Sequence, residues 1–261
     1  MAAFVVSEQE MSVKELASAR SFWKRKELLA GRRSWYVEVQ EISLDSVAAD
    51  AVDNGLVDEV VAVLGTGKEA NVYLGLWKGS PLALKVYRLH STPHRKKAKI
   101  GYAPDMMGAM AAREFTTLDK AYRAGVPVPT PARRADNMFT MRFLGEDEKA
   151  PLLKEAVLDE PEQVAEQAIA IVEKLLRAFI IHGDLSEYNL VYHDGRLFVI
   201  DFPQAVDLSS RVDRSAKIES GKDLLLRDLR NLERCFSRFG IELDPEGEYN
   251  RLSSWFESEY L

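Results

Sequence analysis

The stretch Ile181-His182-Gly183-Asp184-Leu185-Ser186-Glu187-Tyr188-Asn189 places a carboxylate and a carboxamide in the spacing H-x-D-x-x-x-x-N, and a second carboxylate, Asp201, closes the apolar run that follows. Phosphoryl transfer from ATP needs those residue types in that order. One carboxylate, Asp184, orients the attacking oxygen, while an amide, Asn189, and a second carboxylate, Asp201, hold Mg²⁺ against the phosphates. The simpler alternative is that Asp184 and Asn189 only cap turns. Between the two metal candidates, Leu190–Tyr192 and Leu197–Ile200 read as short strands around Asp194-Gly195, a hairpin signature. Such a hairpin brings Asn189, at the start of one strand, to the same end as Asp201.

Upstream, Leu56 to Leu64 is strand-like and runs into Gly65-Thr66-Gly67-Lys68-Glu69-Ala70-Asn71-Val72-Tyr73. A glycine pair between strands leaves backbone N–H groups able to approach phosphate oxygens. A lone G-x-G is weak evidence. It gains weight from the next strand, Leu82 to Tyr87, in which Lys85 is the one charge in an apolar run. Burying that ammonium is costly unless it meets anions, and an ATP phosphate and a helix glutamate would supply them. Glu114, on a helical pattern from Ala111 to Arg123, is the expected glutamate; Asp119 is the local alternative. Gly65, Gly67, Lys68, Glu69 and Val72 join Lys85 and Glu114 as candidate nucleotide-binding residues, with no definite role for Lys68 or Glu69. Phe139 to Phe143 forms a further strand, which sets Met141 at the back of an adenine pocket; a methionine there is otherwise ordinary core.

The elements that must position these groups are legible in the periodicity. Ser43 to Asn54 reads as a helix with Ser43 as cap and Gly55 as stop. Glu160 to Ile181 is a long amphipathic helix, with Val164, Ala168, Ile171, Leu175 and Phe179 on one stripe, and it delivers the chain to the catalytic stretch. Gln204 to Gly221 reads as polar and irregular, and Leu224 to Phe239 as a last good helix whose Asp228 could brace the catalytic loop or equally stand exposed on the helix. The segment His90 to Met110, with its cationic His94–Lys99 run, reads as a loop without an obvious packed state, either a basic flap over nucleotide or RNA or simply solvated. The arm 1–42 interleaves Lys14, Arg20, Lys24, Arg25, Lys26, Arg32 and Arg33 with Phe22, Trp23, Trp35 and Tyr36. That mixture suits single-stranded nucleic acid, although an amphipathic helix with its charges in water is the favoured reading.

A 46% hydrophobic chain of 261 residues can bury a core of two lobes. Its net charge of −6 argues against binding nucleic acid through overall charge. A single cysteine, Cys235, excludes an internal disulfide or a thiolate zinc cluster and suits a reducing compartment. No signal peptide or membrane-length apolar run is evident, so the expectation is a soluble, cytoplasmic protein without a membrane partner.

Taken together, Gly65–Tyr73, Lys85, Glu114, His182–Asn189 and Ile200-Asp201-Phe202-Pro203-Gln204 resemble the RIO family of atypical serine/threonine protein kinases, from about Ser43 to Phe239. Antibiotic and choline phosphotransferases share the H-G-D-L and I-D-F strings. The resemblance implies an α+β, two-lobed protein-kinase-like fold with a small antiparallel-sheet lobe at 43–145 and a mostly helical, truncated lobe at 146–261. Lys85 would bind ATP phosphates with Glu114 as its partner, Asp184 would be the catalytic carboxylate, and Asn189 and Asp201 would ligate Mg²⁺, or Mn²⁺. It also implies a role in maturation of the small ribosomal subunit, with pre-ribosomal particles or RNA as partners. A phosphorylated metal-binding aspartate is associated with the family, and Asp201 matches it. The Gly-Lys-Glu-Ala-Asn string resembles the branch without an amino-terminal winged helix, whereas Phe-Pro-Gln after Asp201 resembles the branch that has one. Two further functions share these residues: a small-molecule phosphotransferase, and a nucleotide-gated RNA- or ribosome-binding module.

Overall fold

The computed structural model describes residues 44–88, 104–209 and 214–260. The basic arm 1–42, the cap Ser43 and the cationic run His94–Lys99 lie outside the described residues. Of those described, the residues up to Ala112 with Arg133–Thr140 form one compact unit, and Arg113–Ala132 with the residues from Met141 onward form a second.

The first unit is built on helix α1 (Leu44–Asp53) and strands β1 (Glu59–Thr66), β2 (Ala70–Trp77) and β3 (Ser80–Tyr87), paired antiparallel in sequence order. Strands β4 (Pro131–Ala135) and β5 (Met138–Arg142) complete a sheet of order β1-β2-β3-β5-β4. Helix α1 stops where Gly55 takes φ +64 and Leu56 N–H bonds the Ala51 carbonyl at 2.9 Å, the left-handed termination expected of that glycine. Val47 and Ala51 on α1 pack with Leu56, Val57, Tyr73, Leu84, Val86 and Met138. Alternation along β3 therefore commits Leu84 and Val86 to the α1 side and turns Lys85 to the opposite face.

In the chain as a whole, helix α2 (Pro104–Arg123) begins earlier than the sequence pattern implied. Residues 104–110 were read as part of an unstructured insert; they form its first turns instead. Proline is tolerated at a helix start because its missing N–H would go unpaired there anyway.

The second unit carries helix α3 (Pro161–Arg177), which buries Val164, Ala165, Ala168, Ile171, Val172, Leu175 and Leu176. Burying each of the larger aliphatics is worth roughly 1.5–3 kcal/mol. The helix ends before Ile181, where it was expected to run, because Phe179 takes φ +61. Ile180–Ile181 then forms strand β6, paired with β9 (Val206–Asp207). Strands β7 (Leu190–His193) and β8 (Arg196–Val199) make the expected hairpin, turning at Asp194 (φ +51) and Gly195 (φ +71). Helix α4 (Arg214–Ser237) starts well before Leu224, so the stretch 204–221 holds both a strand and helix rather than irregular chain. Helix α5 (Pro245–Tyr260), which periodicity did not reveal, follows it.

Candidate active site

The catalytic stretch is a loop between β6 and β7 fixed from several directions. Asp228 on α4 is 2% exposed and accepts hydrogen bonds from Gly183 N–H and Leu185 N–H, each at 2.8 Å. These bonds flank Asp184 in sequence and hold its backbone on both sides. The brace expected of Asp228 is therefore present. Burial pushes the Asp228 carboxyl up to about 7, against the two backbone donors that favour its ionised form. Gly183 has φ +77, and a Cβ there would lie 2.9 Å from the Gln204 carbonyl oxygen. Only glycine fits this turn without strain. His182, 1% exposed, bonds the Ile200 carbonyl through Nε2 at 3.2 Å and lies against Phe202 with ring centroids 5.0 Å apart.

Asn189 joins the two ends of the motif. Its Nδ2 donates to the Asp184 carbonyl at 2.8 Å and lies 3.3 Å from the Asp184 carboxylate. Its carbonyl accepts Ile200 N–H at 3.0 Å, which extends the β7–β8 ladder by one pair. With Nδ2 committed to Asp184, the amide offers its oxygen to a cation. Asp201 follows directly on Ile200 and is exposed, with φ +71, a left-handed conformation uncommon for a non-glycine residue, though aspartate adopts it more readily than most. Among the described residues no three His, Cys, Asp or Glu side chains gather as a metal cage. Carboxylate and amide oxygens are nonetheless the hard donors Mg²⁺ takes, and that ion commonly completes its shell with phosphate oxygens and water.

Glu114, 2% exposed, accepts Phe202 N–H at 2.9 Å. The helix that carries it is tied along the segment after Asp201. Arg113 bonds the Ala205 carbonyl at 2.9 Å, and Lys120 reaches Asp207 at 2.7 Å and Ser209 at 3.1 Å. Sequence reading missed the bond to Phe202. Side chain to backbone bonds over such separations leave no pattern in residue spacing.

In the first unit, register sets Gly65 on β1 opposite Val72 on β2, and Val72 opposite Lys85 on β3. Lys85 is 7% exposed, with its ammonium 5.6 Å from the Tyr87 ring centre. The turn Gly67-Lys68-Glu69 is exposed. Its closure is Gly67 N–H to the Ala70 carbonyl at 2.9 Å. Met141, at the end of β5, is half-buried and belongs to the second unit.

A family model for the RIO domain matches residues 71–248, more than half of the chain. The chain belongs to the RIO family. This RIO chain is 34% identical over 211 residues to the RIO-type serine/threonine-protein kinase Rio1 of Haloferax volcanii, covering 76% of the chain and 70% of that protein. It is 29% identical over 208 residues to the RIO1 kinase of Caenorhabditis elegans, covering 73% of the chain but only 39% of that protein. Human RIO1 is 30% identical over 172 residues, which cover 59% of the chain and 30% of the human protein. Two structures of Rio2 kinase from Chaetomium thermophilum, one titled as an ADP/Mg²⁺-phosphoaspartate complex, match at 19% identity. Their TM-scores are 0.60 for that complex and 0.63 for the other, over 91% of this chain and 74% and 75% of theirs. The RIO chain thus has the α+β, two-lobed kinase-like fold that its motifs implied, and it is an atypical kinase of the RIO type. No described helix is long and apolar enough to cross a membrane.

Proposed function

We propose that this RIO chain binds ATP with Mg²⁺ and transfers the γ-phosphoryl group to a serine or threonine hydroxyl of a protein, or to water. The observation that carries the reading is the junction at Asn189, whose amide meets Asp184 while its backbone bonds the residue before Asp201. Asp184 orients the attacking hydroxyl and takes its proton as the oxygen–phosphorus bond forms; the bond to the bridging oxygen breaks and ADP departs. Asn189 and Asp201 would hold Mg²⁺, or Mn²⁺ in its place, which would supply neutralising charge at the phosphate oxygens. Lys85 is assigned to the phosphates and Glu114 to Lys85. Gly65, Gly67, Lys68, Glu69 and Val72 are assigned to the nucleotide-binding loop and Met141 to the adenine end. Residues 43–145 would form the nucleotide lobe and 146–261 the catalytic lobe.

Asp201 has a second candidate role: its carboxylate is exposed and is a candidate to accept the phosphoryl group itself. That would support ATPase cycling, and one of the Rio2 structures is titled as a phosphoaspartate complex. We place the protein in the cytoplasm and assign it to maturation of the small ribosomal subunit, with the basic segments at 1–42 and 94–99 as candidate RNA contacts. The family resemblance supports that assignment. Incubation with γ-labelled ATP, with and without ribosomal particles, tests these readings. Acid-stable label on a protein supports serine or threonine transfer; hydroxylamine-labile label on the chain supports Asp201; label found in neither and no phosphate release would overturn phosphotransfer.

A further inference from the structure

Arg88 directly follows β3 and is 6% exposed. It shares the α1 side of the sheet with Leu84 and Val86, the face opposite Lys85. The Tyr73 phenol, another member of the α1-side core, lies close enough to feel its charge. Arg88 grips the phosphate loop at two points, by its backbone along the sheet and by its side chain from that side. Its backbone N–H donates to the Glu69 carbonyl at 2.8 Å, and its guanidinium Nη2 donates to the Gly67 carbonyl. A third bond, Gly67 N–H to the Ala70 carbonyl at 2.9 Å, closes the turn.

These bonds have a consequence for the donors of the loop. No described peptide bond is cis, and in a trans peptide the C=O of one residue points opposite to the N–H of the next. With the Gly67 carbonyl turned to the guanidinium, Lys68 N–H faces away from it. The Glu69 carbonyl, held within the sheet plane by the Arg88 backbone, turns Ala70 N–H away from β3, whatever side chain stands at 88. Gly67 N–H is already spent on Ala70. One of the loop's donors, Lys68 N–H, is thereby oriented by a side chain that stands on the far face of the sheet from the phosphate lysine.

We propose that Arg88 is a positioning residue for phosphate recognition, its guanidinium holding the Gly67 carbonyl from behind so that Lys68 N–H is presented to the phosphates of ATP. The inference rests on the reading of this loop as the ATP-phosphate site. A guanidinium is suited to the task because it offers several fixed donors and keeps its charge when buried.

Calorimetric titration of the full chain with ATP, ADP and adenosine tests it, using the wild type, Arg88→Met and Arg88→Lys. Methionine keeps much of the stem and loses every side-chain donor; lysine keeps the charge and one donor group, and serves if the methionine variant does not fold. The expected result is that ATP and ADP weaken by about tenfold in Arg88→Met while adenosine changes by less than about twofold. Lysine should recover part of the loss, and the KM for ATP should rise with kcat nearly unchanged. A residue that merely supports the fold would weaken adenosine and ATP alike, and that result overturns the proposal. So does unchanged ATP affinity in a folded Arg88 variant. Absence of ATP binding by the wild type would instead overturn the reading of the site itself.

Discussion

The catalytic loop and the phosphate loop are held in contrasting ways. Residues 182–189 are locked by buried, long-range bonds from Asp228 to Gly183 and Leu185, by His182 to Ile200, and by the local bond of Asn189 to Asp184. The turn at Gly67–Glu69 is exposed and closed by a short-range bond, with Arg88 as a long-range support. The difference matches two chemical tasks. A group that handles a proton in the transition state must be held to a fraction of an ångström, whereas a loop that wraps phosphates gains from being able to yield as nucleotide enters and leaves. Substitutions in the first loop should therefore act on turnover, and substitutions in the second on nucleotide affinity.

The largest effect is expected at the proton acceptor. Asp184→Ala should lower turnover by about a thousandfold or more while leaving ATP affinity within a few fold. Single-turnover assays with calorimetry separate the two quantities, and an equal loss in both would erase the contrast between the loops. Next comes the brace. Asp228→Asn retains one acceptor and faces its amide N–H₂ toward the other backbone donor, so the protein should lose about 1–3 kcal/mol of stability at pH 6 by denaturant titration.

The pH dependence of that loss has a definite sign. The Asp228 carboxyl titrates at about 7 in the folded chain, above its ordinary value of 3.8, so between those values the folded state holds a proton that the unfolded state has released. This group's contribution is full below about pH 4 and declines as pH rises to about 7. Asp228→Asn removes that decline, and the stability gap between wild type and variant should narrow toward pH 8. The smallest effect is expected at Arg230, whose pairing with Glu246 at 2.8 Å is 57% exposed on both sides. Arg230→Ala should change stability by less than about 1 kcal/mol and leave turnover alone.

Much of the catalytic loop was legible because its chemistry and its structure share one pattern. The β7–β8 hairpin announces itself through Asp194-Gly195, whereas the sequence leaves Asp228 equally a brace or an exposed helix residue, and its two backbone donors decide for the brace. What escaped notice did so for physical reasons. Pro104 and Gly108 read as breakers, yet proline at a helix start costs little, so seven residues taken for loop are helix. Strands β6 and β9, two residues each, are too short for alternation to show. The end of α3 depends on the left-handed backbone of Phe179, which no propensity of phenylalanine foretells. Among the described side chains of helix α5, Leu252 and Phe256 are buried four residues apart, too sparse a pattern to register as a stripe beside Gly247. In the phosphate loop, glycines and lysine were visible at once, but Arg88 passed as one more charge after a strand. Its role became apparent only when its two backbone acceptors were known.

The central claim is that Asn189 and Asp201 hold one divalent cation against ATP. It is tested most directly by measuring ATP affinity with and without Mg²⁺ for the wild type, Asn189→Ala and Asp201→Ala. The account predicts that Mg²⁺ tightens ATP binding to the wild type and that either substitution removes about tenfold or more of that gain. Variants that keep the full Mg²⁺ enhancement would contradict it.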